Sequence, residues 1–377
     1  MKKISLSAAL FLGLFLFLAS CKKTTTPNGG DNAIPCVLST DSLHVQISTD
    51  TVTKNGFDFI RITVYDDAGN NITSACNLLL GGLTLIDSIY YPATLGNANI
   101  IARAKDCSTL PSTFKTIHSI ASPFSQKILL EDCTGAWCGY CPRVAFQLEN
   151  YKASHPNCIS LAVHGGGSGN VDPMKFQYYP TFNSAFQVGG YPTAVFNRKK
   201  QPDGSYGWSE SNSDLDAALK LGAPLGLAIS STTDGLSVTG SVKVKFGVTT
   251  TKAMKIVVAL VENGIVYPQT NYYSAQYGAT PYIYGGVSPV TNFVHNGVLR
   301  RTSTNLLGDA IPVNQETKDN IWELPFTMSL SGNTAEGTYS AIPANCSIVA
   351  FVMDATTTNK GVYNVQYATV GSVKNFD

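Results

Sequence analysis

The chain has 377 residues, 14% of them charged, and a formal net charge of +1 at pH 7. That balance, with no basic stripe, argues against a nucleic-acid partner. Nine cysteines are many for a reducing compartment and ordinary for an oxidising one.

Lys2 and Lys3 precede an apolar run from Ile4 to Ala19 that ends in Leu18-Ala19-Ser20-Cys21. A basic start, an apolar stretch and small residues at a cut point predict a signal peptide over residues 1–21. The alternatives are a plain secretory signal and a membrane anchor, since the run approaches the ~20 residues of a spanning helix. The cysteine at the cleavage point resembles a bacterial lipobox, which implies lipidation of Cys21 and tethering to a membrane. Residues 22–35 are polar and rich in turn formers, and are expected to form a flexible tether.

From 36 to 122 the pattern is strand-like. His44–Ser48 and Phe57–Tyr65 alternate, Asp66–Asn71 reads as a turn, and Ala98–Ala104 is another short strand. Several short strands with no amphipathic helix predict an immunoglobulin-like β-sandwich.

Residues 123–222 change character. Lys127–Leu130 and Ile159–Val163 read as buried strands. Between them Val144, Leu148 and Tyr151 share a helical face. Thr181–Gln187 is an expected short helix, Thr193–Phe196 a third strand and Tyr206–Trp208 a fourth. Asn212 or Ser213 caps a last helix, which Gly222 ends. The order β-α-β, connection, β-β-α is that of an α/β thioredoxin-like domain. Residues 223–377 return to strands, with candidates at Leu225–Ser230, Leu236–Phe246, Lys255–Val261, Val294–Leu299, Trp322–Met328, Ser347–Met353 and Val362–Tyr367. They predict a C-terminal β-sandwich.

The chemistry lies in Trp137-Cys138-Gly139-Tyr140-Cys141-Pro142-Arg143. A thiolate at a helix N-terminus gains from unsatisfied N–H groups and the helix dipole, which lowers its pKa. Cys138 is the expected exposed attacker and Cys141, nearly a turn later, the resolver. Pro142 sits early in the helix, where its missing N–H costs least.

This motif resembles the active site of the thioredoxin superfamily, and a Cys138–Cys141 redox disulfide follows from the resemblance. Phe186–Phe196 with the Asp203-Gly204 turn resembles that family's cis-proline segment. It implies a cis Tyr191–Pro192 bond, with Trp137, Tyr191 and Pro192 holding a substrate strand. Asp132, six residues before Cys138, stands where the family has a buried acid that deprotonates the resolving cysteine. Glu131 beside it competes for the role, because a one-residue slip exchanges their faces.

Three other readings compete. The pair could be half of a zinc site, with Cys133, His155 and Cys158 as the nearby candidate ligands, but there is no second C-x-x-C. It could be a structural disulfide. His164-Gly165-Gly166-Gly167 resembles an esterase loop, yet no G-x-S-x-G accompanies it. His164 is expected in a loop near the active-site edge, where it could tune the thiols. Cys133 and Cys158 are expected at opposite ends of neighbouring strands, too far apart to pair. The loop with Tyr267, Tyr272, Tyr273, Tyr277, Tyr282 and Tyr284 is either a partner site or an ordinary packed loop.

From about Gln126 to the end, including Lys255–Pro312, the chain resembles the outer-membrane-protein-28-related lipoproteins of Gram-negative bacteria. The resemblance implies an outer-membrane lipoprotein of the cell envelope. The leading expectation is a tethered thiol–disulfide oxidoreductase acting on envelope proteins that carry thiols or disulfides, with no cofactor and no metal. The alternative is a non-catalytic surface binding or adhesion lipoprotein on a structural thioredoxin-like scaffold.

Overall fold

The computed structural model describes residues 38, 40–106, 110–167, 171–356 and 360–377. The signal peptide, Cys21, the expected tether, Cys36 and Cys107 lie outside the described residues. Among the described residues no helix is long and apolar enough to cross a membrane.

Two sheets face one core between Leu43 and Ala121. One contains His44–Ile47, Ile60–Tyr65 and Ile89–Tyr90. The other runs Thr51–Lys54, Lys115–Ala121, Gly96–Ala104, Cys76–Leu80 and Leu83–Thr84. Ile60, Ile62 and Val64 point inward while Arg61 is exposed, the period-two rule of a strand with one buried face.

The central strand Ile128–Thr134 is buried along its whole length. The helix Cys141–Ser154 and the parallel strand Cys158–His164 follow it. Then come a short helix Tyr179–Ala185, the antiparallel strand Thr193–Phe196 and the helix Asn212–Leu219. The short helix stops before the expected Gln187, which takes a left-handed φ of 54°. Tyr206–Trp208 bonds to Ala194 and Phe196 through one bridge at Gly207 and does not extend into a full strand.

The sheet does not end with these strands. Its order is Thr193–Phe196, Ile128–Thr134, Cys158–His164, Val298–Thr302, Met254–Glu262, Cys346–Asp354 and Val362–Thr369. It therefore crosses the division expected at 222/223. At the join Ala162 lies opposite Val298, and its amide donates to the Gly297 carbonyl at 2.8 Å. One core, with Val163, Phe182, Phe186, Phe351 and Val365, spans both halves of one face. On the other face Val144, Leu148 and Tyr151 of the cysteine helix cover the first half. The second half meets a four-stranded sheet through Leu227, Val242, Ile256 and Ile348.

A buried ion pair links the halves. The Arg198 guanidinium forks onto Glu131 at 2.6 and 2.7 Å, donates to the Leu306 carbonyl at 2.8 Å and lies 4.6 Å from the Phe351 ring centroid.

Candidate functional site

Strand register sets the site. Thr193 pairs with Cys133, so Pro192 stands level with Thr134, where the loop toward Cys138 begins. The Tyr191–Pro192 bond is cis. The Trp137 ring lies 5.7 Å from the Tyr191 ring, and its indole N–H donates to the Gly165 carbonyl at 3.1 Å. The Tyr191 hydroxyl bonds Asn183. Trp137, Tyr191 and the glycines after His164 thus form one wall. A Cβ on Gly167 would stand 2.3 Å from the indole.

Cys138 and Cys141 form a disulfide with a Cα separation of 5.4 Å. Cys138 lies in the turn before the helix, and Cys141 is the first helical residue, with Pro142 directly after it. Both cysteines are buried, Cys138 to 3% exposure, which corrects the expectation of an exposed attacker.

The cover is a strap from the same chain. Residues 263–297 leave the sheet after Glu262 and return at Val298. Their base is closed by Ile265–Val266 pairing with Val294–His295, and by Gln269 pairing with Val290. The inner edge runs along the cysteine loop. The Thr270 amide donates to the Ala136 carbonyl at 2.9 Å and the Tyr272 amide to the Gly139 carbonyl at 2.8 Å. The Gln269 side-chain amide donates to the Cys138 carbonyl at 2.9 Å. The Tyr272 ring lies on Gly139 and packs edge-on against Tyr140. Asn271, fully buried, gathers the strap by donating to the Ile283 and Val287 carbonyls. The sequence marked this tyrosine-rich stretch as a partner site or a packed loop, and its inner edge packs on the chain's own cysteine loop. Tyr277 and Tyr282 remain exposed.

The choice between Glu131 and Asp132 follows from strand alternation. Glu131 faces the Arg198 side. Asp132 faces the opposite side and lines a narrow cavity of about 70 Å³ together with Cys141, Ala162, His164, Gln269 and His295. One Asp132 carboxylate oxygen is buried and has no hydrogen-bond partner. Burial, reinforced by the Glu210 charge, pushes its pKa up to about 7. A carboxyl tuned there can take and return a proton near neutral pH.

The remaining thiols have a different character. Cys133 and Cys158 stand at opposite ends of adjacent strands, opposite Val163 and Ile128, and both are free and buried. Burial raises both thiols, Cys158 to about 12, so they stay protonated. Cys76 and Cys346 are also free and buried. Among the described residues no three His, Cys, Asp or Glu side chains converge as a metal site.

Sequence reading missed Asp172, Gln269, Asn271 and His295. Asp172 follows a glycine-rich loop, and the other three lie in the strap, where no local motif marks a contact with the distant cysteine loop.

No curated protein matches the chain. Among solved structures, HBP35 of Porphyromonas gingivalis aligns with a TM-score of 0.49 at 16% identity, covering 66% of this chain and 76% of that one. A beta-glucosidase from Kluyveromyces marxianus in complex with glucose aligns with a TM-score of 0.19 at 10% identity, covering 85% and 46%. At these scores the likenesses carry no inference about activity. The family model for outer membrane protein Omp28 matches residues 179–374. That span takes in Tyr191, Pro192 and the whole strap, and begins after Cys138 and Cys141. It covers more than half of the chain, and the chain belongs to the outer membrane protein Omp28 family, at the outer membrane of the Gram-negative cell envelope.

Proposed function

We propose that the protein is a tethered thiol–disulfide oxidoreductase of the envelope, held by lipid on Cys21, whose redox unit is Cys138–Cys141 in a thioredoxin-like setting within residues 123–222. The observation that carries this reading is the unpartnered carboxylate oxygen of Asp132 in the cavity shared with Cys141. Burial pushes that carboxyl up to about 7, the range in which it can exchange a proton with Cys141 near neutral pH.

In the reducing direction the Cys138 thiolate attacks one sulfur of a substrate disulfide. A Cys138–substrate bond forms, and the other substrate sulfur leaves with the electron pair and takes up a proton. Cys141, its proton passed to Asp132 through the cavity, then attacks Cys138 Sγ. The protein disulfide closes and the second substrate sulfur leaves as thiolate. Oxidation of a substrate is the same sequence reversed. Trp137, Tyr191 and Pro192 supply the wall against which an extended substrate lies.

A second reading has its own support. Cys138 is covered by the Gln269–Tyr272 edge of the strap, as in a surface binding or adhesion lipoprotein whose central disulfide only braces the fold. Insulin reduction by a thiol donor separates the two. The redox reading predicts catalysed turnover that Cys138→Ser abolishes, and equal rates with and without the protein support the binding reading.

A further inference from the structure

His164 ends its strand opposite Thr134, on the same sheet face as Asp132. Ala162, level with Asp132, is small enough to leave the cavity open between them. The imidazole is 1% exposed, and its Nδ1 bonds the Asp172 carboxylate at 2.8 Å. Asp172 is fully buried and also accepts the amides of Ala136, in the cysteine loop, and Met174. The other ring nitrogen, His164 Nε2, is buried with no partner, and the ring lines the cavity that Cys141 and Asp132 line. A carboxylate-oriented histidine whose other nitrogen is unpartnered, lining one cavity with a cysteine, is an arrangement suited to thiol chemistry.

We infer that His164, oriented by Asp172, is a positioning and proton-handling residue for the buried sulfur, stabilising the Cys141 thiolate that appears when the disulfide opens. This rests on the redox reading above. The groups around it fit. Against the effect of burial, the His164 charge and the two amides hold Asp172 down at about 2. Burial and the same charge push His295, whose ring is 5.2 Å away, down to about 3. His295 is thus neutral, which leaves the ring that Asp172 orients to act on the sulfur. Behind Asp172, Glu336 accepts its backbone amide and pairs with Lys175. Glu149 and Lys152 of the cysteine helix line the same cavity. A carboxylate-oriented imidazole beside a thiol favours the thiolate, so His164 favours the reduced pair. Asp132 takes the proton that Cys141 gives up.

The step is balanced by glutathione. Two glutathione thiols supply two electrons, the Cys138–Cys141 bond breaks, and glutathione disulfide forms. The test is the equilibrium constant of this reaction from pH 5 to 9 for the wild type, His164→Gln, Asp172→Asn and the control His155→Gln, half-buried at the far end of the cysteine helix. In His164→Gln reduction becomes less favourable at pH 7 by about tenfold, one pKa unit of thiolate stabilisation. In Asp172→Asn the imidazole loses the carboxylate that orients it, so reduction becomes less favourable in the same direction as in His164→Gln. His155→Gln tracks the wild type throughout. A role confined to packing lowers the melting temperature and leaves these curves parallel. The inference is overturned if the pair equilibrates and the His164 and Asp172 variants superimpose on the wild type, or if His155→Gln shifts equally. A wild-type pair that never equilibrates overturns the redox reading itself.

Discussion

The amide of Tyr272 donates to the Gly139 carbonyl at 2.8 Å, and the Tyr272 ring stands 2.4 Å from where a Cβ on Gly139 would be. The dipeptide between the cysteines is therefore fitted to the strap. Gly139 has no left-handed φ, so its own backbone accepts alanine and only the strap must move. Gly139→Ala is expected to cost about 1–3 kcal/mol and to speed reduction of the disulfide by a bulky protein thiol more than by dithiothreitol. Alkylation time courses with the two reductants check this, and unchanged rates for both contradict the strap as a cover.

Asn271 is the internal clamp of that strap. Asn271→Ala leaves the Ile283 and Val287 carbonyls without their donor and the Tyr273 amide without its acceptor. An unsatisfied buried group costs about 1–3 kcal/mol, so amides of the strap should exchange roughly tenfold faster or more. Amides of Met254–Glu262 should be unaffected. Hydrogen exchange resolved by segment reads both.

Asp132 links stability to pH with a definite sign. Its folded pKa is raised to about 7 from 3.8, so between those values the folded state holds a proton that the unfolded state has released. The stability it contributes is present in full below pH 3.8 and is lost as pH rises through 7. Asp132→Asn should match the wild type near pH 3.5 and exceed it at pH 8 by an amount on the order of a few kcal/mol. Its insulin-reduction rate should fall at the same time. Urea unfolding at the two pH values tests the sign.

Arg198 and Glu131 test the join between the central strands and the C-terminal half. Glu131→Gln leaves a buried guanidinium without its counter-charge and should cost about 3–5 kcal/mol. Replacing both partners, as Glu131→Leu with Arg198→Met, should recover most of that loss, because no unpaired charge remains. Equal losses in the single and double variants would mean that the pair acts by shape alone.

The sequence marked what local pattern controls. Alternation over Phe57–Tyr65 located the strand Ile60–Tyr65. The apolar runs Lys127–Leu130 and Lys255–Val261 located the strands Ile128–Thr134 and Met254–Glu262, the first of which runs four residues past its apolar run. The spacing of Val144, Leu148 and Tyr151 located the cysteine helix. The site was legible where its residues are close in sequence, as in Trp137–Cys141 and Tyr191-Pro192. It was not legible where the partner is remote. A parallel contact such as Ala162 with Val298 leaves no trace in either segment's periodicity. Glu131 and Asp132 could be told apart only once Arg198 was seen on one face and the Cys141 cavity on the other. The burial of Cys138 depends on backbone bonds from Thr270 and Tyr272, which any residue but proline supplies.

If Cys138–Cys141 is a working redox pair, its reduction potential shows it. The protein is equilibrated in glutathione buffers of graded potential, trapped by thiol alkylation and counted by mass, with Cys138→Ser as control. This pair should open and close reversibly with a midpoint above about −300 mV, whereas structural disulfides lie below that value and resist reduction. A bond that stays closed in every buffer would contradict it.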